Sequence, residues 1–386
     1  MMQSSYYRRA EVTKKKYRAV ALYSGGVDST VAPLLALEDL GLQREEMLLL
    51  YVDLGGFVNR KSRAEQRAKV LGLDFTALDG RADFARNFLS EAMMMNGSYW
   101  GYPLITPLSR AYIVEAAAAY LTFEGGETRY LINGCTRYQN TRYRIEKHCT
   151  LHPHFVAVTP FKYRKMTRQE KIEILQHYGM TPGRSAGIAE DENLWGRALE
   201  GGPLNDLEDV EAKGVFHVTQ DFRSSSLEPD WITLHFSEGL PVAINGTSMP
   251  LHELIEHCAL IGAKHGVGRI VVFEDTIPEL GYKERGVYES PASAILYSAH
   301  QFLEDAVFTL SERKLKRQMD QQWAEIVYRG GWFDADRREL SGLARSYQTK
   351  LSGDVTLEVF LGHVRIMNAV VPNCGILGPQ AIAGHD

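Results

Sequence analysis

The sequence predicts an α/β protein: a doubly wound parallel sheet over residues 17–183, followed by an α+β half over 184–386. Three observations predict it. In the first half short apolar runs alternate with helix-length amphipathic segments, the pattern of parallel strands joined by crossover helices. Glycine- and serine-rich turns follow the strand-like runs, as at the carboxyl ends of an open sheet, where ligands gather. Beyond a Gly/Pro/Ser-rich stretch, Pro182 to Gly187, the alternation gives way to hairpin signals, which marks a domain boundary.

The elements follow in order. Arg18-Ala19-Val20-Ala21-Leu22 is a buried-strand run, and Val31, Leu34, Leu35 and Leu37 recur at helical spacing up to Gly41. Between them lies Tyr23-Ser24-Gly25-Gly26-Val27-Asp28-Ser29-Thr30. Two adjacent glycines let backbone pass close to a ligand, and Ser29 or Thr30 can cap the helix. Free N–H groups and the positive end of the helix dipole make an anion site, best suited to phosphate. Met47 to Val52 reads as a second strand, ending at Asp53-Leu54-Gly55-Gly56. A helix from Asn59 to Leu71, a strand from Phe75 to Leu78 and a helix from Ala82 to Met95 continue the alternation. A Gly/Pro-rich loop, Asn96 to Pro107, carries Tyr99, Trp100 and Tyr102; a helix from Ser109 to Leu121 follows it. Strand Tyr130 to Asn133 runs into Gly134-Cys135-Thr136, and the stretch to Glu146 is a polar, arginine-rich loop. Arg137, Arg142 and Arg144 are interleaved there with Tyr138 and Tyr143, at the sheet end that also carries the glycine turn. A last strand, Val156 to Pro160, and a helix, Arg168 to His177, close the half.

In the second half, Trp231 to Phe236 and Pro241 to Ile244 alternate as strands, with Asn245-Gly246 as a hairpin turn. Leu251 to Ile261 is an amphipathic helix and Ile270 to Phe273 a strand. Helices are expected near Ala292 to Phe308 and Met319 to Tyr328, then a hairpin of Val355 to Leu361 with His363 to Val370.

Bulk numbers narrow the classes. A chain of 386 residues exceeds one ordinary core, hence two domains. Residues 1–16 form a basic leader without an apolar core, so they are no signal peptide, and no run approaches the roughly 18 apolar residues of a membrane span. A net charge of -5 offers no basic field and argues against a nucleic-acid partner. Four cysteines without CxxC spacing fit free thiols in the cytoplasm. His148, Cys149, His152 and His154 match no zinc spacing and read as a polar loop. No metal site is expected from protein side chains alone.

The pattern S-G-G-x-D-S is that of the pyrophosphate-binding loop of the ATP pyrophosphatases. That loop goes with cleavage of ATP to AMP and pyrophosphate through an adenylated intermediate; no Gly-Lys-Ser/Thr loop of γ-phosphoryl transfer occurs. From Tyr17 to about Val370 the chain resembles the argininosuccinate synthases. The resemblance is carried by Tyr102-Pro103-Leu104, Gly134-x-Thr136, Asn140 with Arg144, and Asp191-x-Asn193-Leu194-Trp195-Gly196-Arg197 followed by Glu200-Gly201-Gly202. His265-Gly266-Val267-Gly268-Arg269, Arg285-Gly286-Val287-Tyr288-Glu289 and Ile295-Leu296-Tyr297 add to it.

The resemblance implies a nucleotide-binding domain followed by a synthetase domain. It assigns ATP to Tyr23, Ser24, Gly25, Gly26, Val27, Asp28, Ser29 and Thr30, with backbone near Val52 and Gly134. A citrulline-like site falls on Tyr102, Asn140, Arg144, Ala189, Ala198, Glu274 and Tyr288, and an aspartate-like site on Thr106, Thr136, Asn140 and Thr141. Mg²⁺ is expected with the triphosphate. In the family the ureido oxygen of citrulline attacks the α-phosphorus, pyrophosphate leaves, and the amine of aspartate displaces AMP. A urea carbon is a poor electrophile until its oxygen becomes a good leaving group, so catalysis is positioning and charge stabilisation rather than a protein nucleophile.

The departures fall in the substrate pocket. Ile105-Thr106-Pro107 stands for the family's Gly-Thr-Ser, and Ala189 and Ala198 stand for two further contacting serines. Thr141 replaces the aspartate expected to hold the amino group of the amine substrate, while Arg137 and Arg142 add positive charge nearby. Each lost partner of a charged group costs about 1–3 kcal/mol. The expectation is therefore an ATP-dependent C–N ligase on the argininosuccinate synthase plan, joining a ureido, carboxyl or amide compound to an amine such as aspartate, with at least one altered small-molecule substrate, suited to specialised biosynthesis. An ordinary argininosuccinate synthase is the alternative, and a non-catalytic nucleotide-binding relative a further one, against which the intact loop stands. The chain ends soon after its last hairpin, without the long C-terminal arm of the family, and a homo-oligomer with a reduced interface is expected.

Overall fold

The computed structural model describes residues 17–121, 127–137, 139–181, 188–207, 214–275 and 283–375. The basic leader, Tyr138 and the Pro182 to Gly187 stretch lie outside the described residues. The chain builds two compact units from interleaved segments. One holds Met1–Phe84, Ile105–Ala212 and Val271–Val287, the other Ala85–Leu104, Lys213–Ile270 and Tyr288–Asp386.

The first unit is built on a parallel sheet of five strands: β1 (Ala19–Leu22), β2 (Met47–Asp53), β3 (Asp74–Asp79), β4 (Arg129–Ile132) and β5 (Phe155–Val158), ordered β3-β2-β1-β4-β5. Successive side chains of a strand point to opposite faces. Ala19, Ala21, Met47 and Leu49 therefore pack on one face with Val27, Val31 and Leu35, while Val20, Leu48 and Leu50 pack on the other with Val114, Leu131 and Ile145. The helices that supply these partners are α1 (Val27–Leu40), α2 (Lys61–Leu71), α5 (Ile105–Ala118), α6 (Asn140–Cys149) and α7 (Arg168–His177). Strand order reverses at β1, so the loops after β1 and β4 leave the sheet side by side. A second sheet in this unit, ordered β11-β12-β7-β6, joins the hairpin β6 (Ala189–Asn193) and β7 (Gly196–Glu200) to β11 (Arg269–Asp275) and β12 (Lys283–Glu289).

Three expectations are corrected here. The loop expected to Pro107 ends at Leu104, and α5 starts at Ile105 with Pro107 in its first turn, where a missing N–H costs no intrahelical bond. The arginine-rich stretch is not loop throughout, because Asn140–Cys149 is helical and buries Arg144, Ile145, His148 and Cys149. The helix expected over Ala82 to Met95 is α3 (Arg81–Phe84), a π turn (Ala85–Leu89) and α4 (Ser90–Met94).

The second unit carries an antiparallel sheet ordered β10-β9-β8-β13-β14, from β8 (Asp230–Ser237), β9 (Leu240–Ile244), β10 (Thr247–Ser248), β13 (Gly353–Phe360) and β14 (His363–Val370). Its helices are α8 (Leu251–Lys264), α9 (Pro291–Val307), α10 (Leu310–Tyr328) and α11 (Ala335–Gln348). Thr309 caps α10, so that helix begins nine residues before the expected Met319. Helix α11 escapes the hydrophobic pattern because its buried face holds Arg337, Ser341, Ala344 and Gln348. Arg337 and Ser341 converge on Glu91, which is 4% exposed, while Gln348 meets His300 and the Met94 carbonyl. Glu91 accepts from Trp323 Nε1 at 3.1 Å, from Ser341 Oγ at 2.5 Å and from Arg337.

Cys135, Cys149 and Cys258 are buried free thiols, and Cys374 is an exposed one. Among the described residues no helix is long and apolar enough to cross a membrane. The Glu91 cluster yields a stability test. Glu91→Ala strands the Arg337 guanidinium in the interior and should cost roughly 3–5 kcal/mol, read as a lowered midpoint in urea unfolding. An unchanged midpoint would show that the cluster does not hold α11.

Candidate functional site

The glycine loop after β1 is tied by its own serines. Ser29 Oγ accepts from the N–H groups of Gly26 at 3.0 Å and Ser24 at 3.3 Å, and it lies 3.0 Å from Ser24 Oγ. Thr30 Oγ1 donates to the Gly26 carbonyl at 2.6 Å and lies 3.5 Å from the buried Tyr23 hydroxyl. Burial raises the Tyr23 hydroxyl's pKa, against the bond to Thr30 and the charges of Arg67 and Arg63. With Gly26 as the N-cap, the N–H groups of Val27, Asp28 and Ser29 open α1 with no carbonyl one turn back to bond. That is the donor set an anion needs.

The two glycines do different jobs. Gly25 has φ +68°, and a Cβ on it would lie 2.8 Å from the Ala64 Cα of α2. Gly26 has φ -77°, open to any residue, and its added Cβ would meet only Ser24 Oγ at 3.3 Å and Ser29 Oγ at 3.7 Å. Gly134, after β4, is as tightly placed as Gly25: its Cβ would lie 2.8 Å from the Asp28 carbonyl carbon and 2.9 Å from Ser29 N. The β4 loop thus rests on the first turn of α1. Cys135 and Thr136 are fixed there, Cys135 N–H donating to Asn133 Oδ1 and Thr136 N–H to Gln139 Oε1.

Val52 lies near the end of β2, where Leu54-Gly55-Gly56 leaves the sheet. The β6–β7 hairpin grips that turn. Leu194 N–H donates to the Leu54 carbonyl at 2.8 Å, and Glu192 Oε1 accepts from Val58 N–H at 3.1 Å and from Phe57 N–H. Arg60 reaches Glu190 at 2.6 Å and Glu192 at 3.4 Å. Sequence reasoning missed Arg60, Glu190 and Glu192, and also Arg67 and Lys171. Arg67 donates to the Gly25 carbonyl at 2.7 Å and Lys171 to Asp28 Oδ1 at 2.7 Å. Each is recruited from a distant segment with no local signal.

Asn140 and Arg144 stand one helical turn apart on α6, sharing a face, with Thr141 next to Asn140 at the start of that helix. Thr106 is buried in the first turn of α5, beside Ile105 and Pro107. Ala198 is 2% exposed on β7, opposite Asp191 of β6, whereas Ala189 is exposed at the start of β6. Glu274 lies on β11, half-buried. Burial and the charge of Glu274 push the Glu200 carboxyl up to about 7, against the pull of Arg144 and Arg110. The Glu284 carboxyl is raised by burial and by Glu274. The expected surplus of positive charge from Arg142 is reduced: its guanidinium donates to Glu146 at 2.5 Å, and Glu146 also takes Lys162 at 3.1 Å.

The expected substrate contacts Tyr102 and Tyr288 belong to the second unit, where their rings pack together with centroids 4.6 Å apart. Both are buried. Tyr99 stacks on Tyr328 at 4.0 Å in the same loop region. His148 and Cys149 end α6, and His152 Nε2 lies 2.8 Å from Glu115 Oε1, so the histidine-rich stretch is partly helix and partly a hydrogen-bonded loop. Among the described residues no group of three His, Cys, Asp or Glu could hold a metal ion.

A five-stranded parallel sheet with a Ser-Gly-Gly loop at the start of its first helix defines a nucleotide-binding domain of the pyrophosphate-loop class. Residues 18–181 match the family model described as "Arginosuccinate synthase N-terminal HUP domain", and residues 188–373 match "Arginosuccinate synthase C-terminal domain". Argininosuccinate synthase of Methanocaldococcus jannaschii is 33% identical over 357 residues, 92% of this chain and 88% of that protein. The enzymes of the same name from Pyrobaculum aerophilum and Rubrobacter xylanophilus are 33% and 32% identical, covering 93% and 92% of this chain and 89% and 86% of their own. The chain belongs to the argininosuccinate synthase family. It is an ATP-dependent ligase that forms carbon–nitrogen bonds.

Two tests follow from the geometry. Gly25→Ala places a Cβ against Ala64 in a left-handed backbone, which should cost on the order of 1–3 kcal/mol in a thermal melt. Gly26→Val should melt like the wild type but lose ATP binding by calorimetry, because its side chain fills the anion's approach; ATP affinity equal to wild type would remove the loop from the site. The second test concerns pH. Glu200 is raised in the folded chain from 4.5 to about 7, so folding takes up a proton across that window. Its contribution is therefore fullest below pH 4.5 and lost as pH rises through 7. Glu200→Gln should melt higher than wild type at pH 8 and lose that advantage at pH 4.5; the opposite order would refute the shift.

Proposed function

We propose that the chain catalyses argininosuccinate synthesis: the ureido oxygen of citrulline attacks the α-phosphorus of ATP, pyrophosphate departs, and the amine of aspartate displaces AMP. The observation that carries this reading is the meeting of two loops, with Gly134 lying against the first turn of α1 and the Asn140–Arg144 face of α6 following at once. The anion donors of α1 and the Asn140–Arg144 face of α6 thus follow neighbouring strands of one sheet, which supports the reading. The loop amides would hold the polyphosphate, Asn140 and Arg144 would orient the ureido substrate, and Thr136 with Asn140 would take the carboxylate of the amine substrate. Mg²⁺ would enter with the triphosphate. The same reading takes the protein to be a cytoplasmic homo-oligomer.

A second reading keeps the chemistry and changes a substrate, and the pocket substitutions favour it. Ala198 is buried where a hydroxyl is expected, Pro107 is locked into the first turn of α5, and Thr141 brings no charge to an amine. An ammonium that loses its carboxylate binds far less well.

Steady-state release of pyrophosphate separates the two readings. Citrulline with aspartate should support the reaction at ordinary synthase efficiency under the first. Under the second that pair should fall at least ~100-fold below another ureido–amine pair, a difference of about 2.7 kcal/mol in barrier. No pyrophosphate release with any ureido–amine pair would remove both.

A further inference from the structure

Lys171 takes no part in any assignment above, yet it is 6% exposed and its charge lies under the anion loop. It projects from α7, whose Leu175 shares a core with Val27 and Val31 of α1. Its Nζ sits 3.8 Å from the centroid of the Phe161 ring and 2.7 Å from Asp28 Oδ1. Asp28 is the second residue of α1, and its side chain is 45% exposed. The loop therefore carries a carboxylate within the very turn whose amides face an anion. Left alone, that carboxylate would repel a polyphosphate. A lysine held by an aromatic face on one side and the carboxylate on the other is a fixed countercharge, not a solvated surface group.

We propose that Lys171 is a positioning residue for ATP: it neutralises Asp28 and pins the first turn of α1, so that the loop amides meet the polyphosphate without an opposing charge. This rests on the ATP reading of the loop. A structural role alone would make the Lys171–Asp28 pair matter for melting. A positioning role makes it matter for the anion, and the damage should be relieved by removing the carboxylate as well.

Calorimetric ATP binding decides it, with four proteins: wild type, Lys171→Met, Lys171→Arg and the double variant Asp28→Asn/Lys171→Met. Methionine keeps the stem against Phe161 and deletes the charge. Lys171→Met should weaken ATP binding at least ~10-fold, Lys171→Arg should stay within about threefold of wild type, and the double variant should bind at least ~3-fold more tightly than Lys171→Met. Melting without ATP checks folding, and Lys171→Gln takes the place of the methionine variant if that one fails to fold. Unchanged affinity in Lys171→Met, or a double variant no tighter than the single, overturns the proposal. A wild-type protein that does not bind ATP overturns the loop reading instead, which is a separate outcome.

Discussion

The approach of Gly134 to the first turn of α1 is the contact on which the rest of the first unit depends. Any side chain at residue 134 would sit within 3 Å of the Asp28 and Ser29 backbone, so the loop after β4 can lie there only as glycine. That contact joins two neighbouring strand ends, and with them the amides of α1 and the polar face of α6. Group transfer between bound substrates needs its partners held to within about an ångström. Backbone against backbone, with no side chain between, is the least compliant way to hold them.

Much of the architecture was legible in the sequence because periodicity reports burial. β1, β2 and α1 are largely apolar on the faces they bury, and they were found where the pattern put them. Three of the misses share one cause: buried faces made of polar residues. α11 turns Arg337, Ser341 and Gln348 inward, α6 buries Arg144 and His148, and β6 reads Ala-Glu-Asp-Glu-Asn. Arg337 of α11 meets Glu91, and Glu190 and Glu192 of β6 meet Arg60; a window of sequence around either element does not contain the partner. The anion loop was legible for the converse reason, since its glycines, hydroxyls and helix start are contiguous. Arg67 and Lys171, which bond to it, come from distant segments.

The glycine loop and the positions that depart from the expected motifs differ in how much change they tolerate. Around the loop, φ +68° at Gly25 and the packing of Gly134 leave little room for drift. The positions that depart from the family pattern are of another kind. Ala198 and Pro107 lie inside regular elements and need no hydrogen bond from their side chains, so the fold loses nothing when a hydroxyl goes. Residues 107 and 198 can thus change without disturbing the parallel sheet.

The grip of Glu192 and Leu194 on the turn after β2 separates two meanings of a domain. The family models divide near residue 181, yet the hairpin that completes the first unit begins at Ala189. A fragment ending at residue 181 would keep all five strands of the parallel sheet but leave the Phe57 and Val58 amides without their carboxylate. Inheritance as a module and folding as a unit are therefore not the same partition of this chain. A hybrid joined at that seam would have to bring a hairpin already fitted to the other parent's β2 turn.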